Sequence, residues 1–416
     1  MRVLYIVLLH LITPLVLLRL WWKGRLQPEY RQRIGERFGF VPAAPNGVAV
    51  WVHAVSVGES LAALPLIEAL IRKHGEGKVW VTTTTPTGSA RVSAALGARV
   101  RHSYAPYDLP GAVARFLERA RPQQVVVMET ELWPVLFRAI RRRGLPLFIA
   151  NARLSPRSFR GYGRLRRSIA GVLADCTEVA AQSEADAQRF RELGAPRVSV
   201  MGNIKFDMSV PEEQLRRGRG FRDRLGAERP VWIAASTHEG EEQAALDAHR
   251  FLLKTRPDCA LILVPRHPQR FDEVAKLIER SDLRYTRRSA AEPDARTQVL
   301  FGDSMGEMLA YFAAADLAFV GGSLVPVGGH NVLEPAALGL PVLFGPHMHN
   351  FIAARDLLLQ HQAAQALESA ADLAPVLRGL FGDAARSAAM GAAGKAAVAA
   401  NRGALEKLLR LLGVPA

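Results

Sequence analysis

The chain has 416 residues, 49% of them hydrophobic, which is too long for one ordinary core and comfortable for two. Its two cysteines, Cys176 and Cys259, allow at most one bridge and match no metal-ligand spacing, which excludes a disulfide framework and fits a reducing cytoplasm. Lys and Arg outnumber Asp and Glu by 54 to 39, a net charge of +15 that implies an anionic partner: nucleic acid, a membrane surface or a phosphorylated substrate.

Val3 to Leu18 carries no charged side chain, and the apolar run resumes at Leu20, Trp21 and Trp22, close to the ~20 residues a bilayer core demands. No small-residue cleavage site follows, and Trp21 and Trp22 ahead of Lys23 and Arg25 read as an interfacial belt. Residues 1–22 are therefore read as a retained membrane anchor rather than a cleaved signal peptide. Pro14 predicts a kink, and a segment lying within one leaflet stands as the alternative to a full span. Lys23, Arg25, Arg31, Arg33 and Arg37 outweigh Arg2, so the positive-inside rule puts the body of the protein in the cytoplasm. The stretch 23–45, with Glu36 among its arginines, predicts a basic surface helix beside the membrane.

From Val48 onward short β-branched runs alternate with longer helical stretches, the pattern of a parallel sheet covered by helices. The predicted strands are Val48 to His53, Val79 to Thr84, Val125 to Glu129, Leu147 to Ala150, Val179 to Gln182 and Val198 to Met201. Ser60 to Lys73 and Leu109 to Ala120 have helical spacing. The rhythm restarts at Val231 to Ser236, Ala260 to Val264, Val299 to Phe301, Leu317 to Val320 and Val342 to Phe344. These series predict two Rossmann-like doubly wound domains, 46–207 and 231–383, facing a central cleft, with 208–230 as linker. The last segment, 384–416, reads as a C-terminal helix able to pack back on the first domain.

The first motif, His53-Ala-Val-Ser56-Val-Gly58-Glu59, leaves a predicted strand and opens a helix. Gly58 permits close backbone approach, and Glu59 sits where the helix field favours its ionised form, so it is either a general base or a capping glutamate. Glu129 and Glu131 leave another strand, with an N-cap or an ion pair as the structural alternative. Lys205 follows the last strand of the first domain and is either an anion ligand or a solvated lysine. In the second domain, Ser236 and Thr237 end a strand in a turn suited to phosphate or to a capping box. Arg266 and His267 sit at the next strand end, where an arginine fork suits a phosphate or a carboxylate. Gly306-Glu307-Met308 follows another strand, and Gly328-Gly329-His330-Asn331-Val332-Leu333-Glu334 favours a nucleotide pocket over a structural turn.

Together these runs resemble the family of 3-deoxy-D-manno-octulosonic acid (Kdo) transferases of Gram-negative lipopolysaccharide biosynthesis. The matching motifs are HAVSVGE at 53–59, TPTG at 85–88, PYDLP at 106–110, ETELWP at 129–134 and ANARLS at 150–155, with the second-domain runs above. The resemblance implies a GT-B fold and an inverting, metal-independent transfer of Kdo from CMP-Kdo to the lipid A precursor lipid IVA, releasing CMP at the inner membrane. It makes Glu59 the general base, and has Glu129 and Lys205 organise the transition state, with Ser56, Gly58 and Glu131 on the acceptor side. Arg266, His267, Gly306, Glu307, Met308 and Asn331 through Glu334 would hold CMP, with Ser236, Thr237, Gly328, Gly329 and His330 as further donor contacts. No Asp-x-Asp pair is present, and neither cofactor nor metal is expected. Two Kdo additions are expected, although mono- and multifunctional members share these motifs. The expected partners are CMP-Kdo, the lipid acceptor and anionic inner-membrane lipids. Nucleic acid is not among them, because the arginines read as scattered among helices and linker and no zinc, RRM or KH signature occurs. The competing readings are a GT-B enzyme using another sugar nucleotide, such as a UDP-sugar, and a basic membrane- or nucleic-acid-binding protein.

Overall fold

The structure is a computed structural model that describes residues 2–208 and 210–415. It divides into two compact units, one of Met1–Asp207 with Arg402–Ala416 and one of Met208–Asn401.

In the first unit β1 (Val48–His53), β2 (Val79–Thr83), β3 (Arg101–Tyr104), β4 (Pro122–Met128), β5 (Leu147–Ala152), β6 (Glu178–Ala181) and β7 (Val198–Val200) form one sheet. Its order is β3-β2-β1-β4-β5-β6-β7, and every pairing is parallel. Parallel sheets are covered on both faces, and β1 shows the consequence. Val50 and Val52 enter a core with Leu66, Leu70 and Val81, whereas Trp51 enters the opposite core with Phe116, Val125 and Phe137. β3, which the sequence reading missed, is a polar edge strand of Arg, His, Ser and Tyr.

The apolar helix Arg2–Lys23 is 22 residues long, about 33 Å at 1.5 Å per residue, and is apolar enough over Val3–Lys23 to cross a bilayer. The basic stretch after it corrects the expectation of a surface helix. It forms two short 3-10 turns, Pro28–Arg31 and Ile34–Phe38, and its arginines are engaged within the unit. Arg31 donates to the carbonyl of Trp21, and Arg33 binds Glu36 at 2.8 Å and Ser89 at 3.1 Å. Arg37 is buried, 4.1 Å from the centre of the Tyr104 ring, and donates to the carbonyl of Thr84.

In the second unit β8 (Val231–Thr237), β9 (Ala260–Pro265), β10 (Tyr285–Arg287), β11 (Val299–Phe301), β12 (Leu317–Val320), β13 (Val342–Phe344) and β14 (Ala364–Ala366) follow the order β10-β11-β9-β8-β12-β13-β14. All pairings are again parallel. The two strands that the sequence reading missed here, β10 and β14, are three-residue edges.

The segment read as a linker is instead part of this unit. Helix Glu212–Leu225 packs on helix Met308–Ala313, with Phe221 stacked on Tyr311 at 5.5 Å. Gly218 permits the approach, since a Cβ there would lie 2.5 Å from the Ala313 Cβ and 2.7 Å from the Ala310 carbonyl. The predicted C-terminal helix is two helices. Ala384–Ala400 packs against Leu333–Ala337 in the second unit, and Gly403, at φ 95°, breaks the chain before Ala404–Leu411, which belongs to the first. Asp207 holds that last helix by accepting from the amides of Gly403 (2.6 Å) and Leu405 (2.5 Å), and Leu408 and Leu409 complete the core around Val50.

Leu408→Ala is therefore expected to destabilise the first unit by about 2–5 kcal/mol. Amide exchange should speed up in β1 and β2 and stay unchanged in β8 and β9.

Candidate active site

The carboxyl ends of β1, β4 and β5 are adjacent in the first sheet, and the polar residues leaving them converge. Ser56 caps helix Val57–His74, accepting from the Glu59 amide at 3.2 Å and donating to Glu59 Oε1 at 2.8 Å, while Glu59 Oε2 accepts from the Val55 amide at 2.8 Å. This is a variant of the capping box in which the Glu59 side chain returns to the Val55 amide and the Ser56 hydroxyl rather than to the Ser56 amide, so Glu59 does have a structural role. It does not account for the rest of the surroundings. Glu59 is buried, and burial raises its pKa above the ordinary glutamate value, with the nearby charges of Glu129 and Glu131 adding to the rise and the Val55 and Ser56 hydrogen bonds opposing it. A buried carboxyl beside two others is a candidate for proton transfer in addition to its capping role.

Glu129 follows β4 with φ 56°, and its amide donates to the Ala150 carbonyl at the end of β5. That left-handed turn carries its carboxylate to Lys205, at 3.2 Å. Lys205 is placed by Asn151, also left-handed at φ 55°, whose Oδ1 accepts from the Ile204 amide at 3.1 Å and so ties the turn Ile204–Phe206 to the end of β5. Asn151 entered the sequence reading only inside a motif, and no spacing rule marks it as the bracket for Lys205. Glu131 accepts from Trp133 Nε1 at 2.9 Å, and burial also raises its pKa. The Trp133 ring meets His53 edge-on at 4.9 Å. His53 is fully buried, bonded to Thr82 Oγ1 at 2.9 Å, and burial pushes its pKa down to about 4, so it is a neutral positioning group. Gly58 is exposed at the mouth of the turn. The structure thus brings together within one unit Ser56, Glu59, Glu129, Glu131 and Lys205, which the sequence had marked at separate strand ends.

The second unit carries its predicted residues after the carboxyl ends of β8, β9, β11 and β12. Ser236 has φ 56° and sits in a register shift between β8 and β9, after which the Thr237 carbonyl accepts from the Arg266 amide at 3.0 Å. Burial, with Arg266 and the neighbouring imidazoles as lesser causes, drives the His330 pKa down to about 3. His330 stacks on His238 at 5.1 Å with Nε2 atoms 2.8 Å apart, and His267 meets His238 edge-on at 5.1 Å. His238 was not named as a site residue from the sequence, since its role depends on a partner 92 residues away. Both glycines of the pair have positive φ, 112° at Gly328 and 76° at Gly329, which disfavours other residues, and a Cβ on Gly329 would lie 2.2 Å from the Met348 sulfur. Glu334 accepts from Asn331 Nδ2 at 2.9 Å, and burial raises its pKa against the opposing effects of Asn331 and Arg266. Val332 and Leu333 turn their side chains into the core, leaving only their backbone for a ligand.

Glu307 is also committed inward, bonded to Ser304 at 2.5 Å and Arg288 at 3.2 Å, with Arg217 at 3.5 Å. Of the turn Gly306-Glu307-Met308, this leaves backbone rather than the glutamate side chain to face a ligand. Glu241, not named as a site residue from the sequence, is the pin of the second site. Its buried carboxylate accepts from the amides of Gly322 (2.6 Å), Ser323 (3.0 Å), Leu324 (2.9 Å) and His238 (2.9 Å).

Two doubly wound units with polar strand ends of this kind define a GT-B glycosyltransferase fold. The crystal structure of Acinetobacter baumannii MurG shares it, with a TM-score of 0.55 at 14% identity, covering 88% of this chain and 99% of that one. The family model described as 3-deoxy-D-manno-octulosonic-acid transferase matches residues 32–208. The 3-deoxy-D-manno-octulosonic acid transferase of Haemophilus influenzae is 42% identical over 99% of this chain and 98% of its own length, and that of Bordetella pertussis is 40% identical over the same shares. The chain belongs to the Kdo transferase family.

Glu241→Ala leaves four amides without their carboxylate. The loop 321–324 is expected to lose exchange protection, with a destabilisation of about 3 kcal/mol or more in thermal unfolding.

Proposed function

We propose that this protein transfers Kdo from CMP-Kdo to a hydroxyl of a lipid A precursor, with Glu59 as the general base. The observation that carries the reading is the buried Glu59 carboxyl, pinned at a helix start beside Glu129, Glu131 and the Glu129–Lys205 pair. Membership of the Kdo transferase family supports the sugar.

In this mechanism the acceptor hydroxyl oxygen forms a bond to the anomeric carbon of Kdo as the bond from that carbon to the CMP phosphate oxygen breaks. The hydroxyl proton passes to Glu59, and the phosphate leaves with the electron pair. Attack opposite the leaving group inverts the anomeric centre. Lys205, held by Glu129, supplies positive charge next to the acid site. In the second unit Arg266 faces the developing phosphate charge, and backbone amides of the 306–308 and 328–334 turns hold the nucleotide, with Glu334 on the ribose. Anionic membrane lipids and a lipid acceptor fit the apolar helix Arg2–Lys23, which we read as the anchor that keeps the two units on the cytoplasmic side of the inner membrane.

Incubation with CMP-Kdo and lipid IVA, followed by mass spectrometry, is expected to give an acceptor heavier by two Kdo residues. No gain in mass would sink the assignment of substrates. Glu59→Gln should lower kcat by about a thousandfold with CMP affinity unchanged, and a variant turning over near the wild-type rate would exclude Glu59 as the base. A Glu59 pKa raised by burial places the acid limb of kcat/KM above the range of an ordinary glutamate, because the base is ionised only above its pKa. That limb should vanish from the residual activity of Glu59→Gln. Arg266→Ala should weaken CMP binding by at least about tenfold in titration calorimetry.

A further inference from the structure

The positive charge of the chain is not scattered. Residues 132–174 contain ten arginines and no Asp or Glu, in a protein whose whole net charge is +15. Six of the ten, Arg153, Arg157, Arg160, Arg164, Arg166 and Arg167, follow β5 across the helices Pro156–Gly163 and Arg166–Leu173. All six side chains are exposed, and among the described residues none has an ion pair, a side-chain hydrogen bond or a ring contact. Arg31, Arg33 and Arg37, nearer the apolar helix in sequence, are consumed by internal contacts.

The segment is fixed in orientation. Phe159, Tyr162 and Ile169 pack onto the first-unit core, which turns the arginines outward, and Leu165 stands among them 52% exposed. Tyr5 and Ile6 of the apolar helix pack on that same core, and Tyr5 donates to Asp108 at 3.0 Å. The apolar helix touches helix Pro134–Arg142, which in turn touches Arg166–Leu173. Along Arg2–Lys23 the large side chains Val7, Leu8, Leu11, Leu15, Leu18 and Trp22 remain exposed. An unpaired guanidinium cluster and an uncovered apolar helix therefore share one side of the first unit.

We propose that residues 153–167 are a second membrane contact, a patch that binds anionic phospholipid headgroups beside the anchoring helix. The proposal rests on the reading of Arg2–Lys23 as seated in the membrane. Guanidinium forks match phosphate oxygens in pairs, each cation near an anionic leaflet adds roughly 1 kcal/mol, or about fivefold, and Leu165 is placed to enter the headgroup layer. The patch also adjoins the candidate site, since Thr130 donates to the Arg153 carbonyl and the charge of Glu131 acts on Tyr162. Contact there would hold the acceptor side of the first unit at the bilayer surface.

The test uses the full chain with phosphatidylcholine vesicles, with and without phosphatidylglycerol, read by co-sedimentation. The wild type is expected to bind the anionic vesicles at least about tenfold more tightly, with the gain falling as salt rises. The variant R157Q/R160Q/R164Q/R166Q/R167Q should lose that gain while keeping its binding to neutral vesicles, which reads the anchor. The control R141Q/R142Q/R143Q removes exposed charge outside the patch and should keep the gain. A wild type indifferent to phosphatidylglycerol, or a patch variant that keeps the gain, overturns the proposal. A variant that keeps the gain but shows a raised KM for the lipid acceptor in detergent also overturns it, in favour of acceptor-phosphate recognition. If the quintuple variant does not fold, R166Q/R167Q is read instead, with a loss of at least about threefold expected and no loss counting against the patch. Wild-type protein that fails to bind neutral vesicles refutes the anchor reading separately, while the phosphatidylglycerol comparison still tests the patch.

Discussion

Parallel pairing of every strand in both sheets is the constraint from which the chemistry follows. It sends all strand ends of a unit the same way, so residues far apart in sequence emerge side by side wherever their strands are neighbours. In the first unit the order β1-β4-β5 brings Glu59, Glu129 and Asn151 to one edge of the sheet from positions up to 92 residues apart. In the second, β9-β8-β12 does the same for Arg266, the Ser236-Thr237-His238 turn and the loop that carries His330. Burial on both faces is what makes those ends the available places for polar groups, because the strand interiors are filled mainly by apolar side chains.

At these strand ends the backbone is bent into conformations that side chains ordinarily avoid. Glu129, Asn151 and Ser236 have φ of 56°, 55° and 56°. A left-handed residue of this kind costs about 1–3 kcal/mol unless its surroundings hold it. Here the Glu129 amide bonds to Ala150, and Asn151 returns a hydrogen bond to the Ile204 turn. The effect in the first unit is to aim a carboxylate at Lys205 and to bring that lysine back over the sheet from beyond β7. Glu241 plays the matching part in the second unit, where one buried carboxylate organises four amides of two loops.

The arginines divide by what they touch. Those next to the apolar helix in sequence serve the fold: Arg37 lies buried against Tyr104 and Arg33 bridges Glu36 to Ser89. The side chains of Arg153, Arg157, Arg160, Arg164, Arg166 and Arg167 have no protein partner among the described residues and remain available to an outside anion. The arginines behind a net charge of +15 thus include a set used within the fold and a set left on the surface.

Local pattern alone determined the two parallel sheets, the apolar N-terminal helix and most of the candidate residues, because β-branched runs, helical spacing and polar strand ends are properties of short stretches. It failed where the signal was weak or distant. The edge strands β3, β10 and β14 are polar or three residues long, since an edge has less apolar surface to bury. Residues 208–230 look like a linker because a helix of mean polar character is legible as part of a domain only once Gly218 and Phe221 are seen against Ala313 and Tyr311. Whether Glu59 was a cap or a buried acid among acids was undecidable from its neighbours in the chain. Tertiary structure answers that it is both, because the burial that chiefly raises its pKa, and the lesser effect of Glu129 and Glu131, arise only when the sheet assembles.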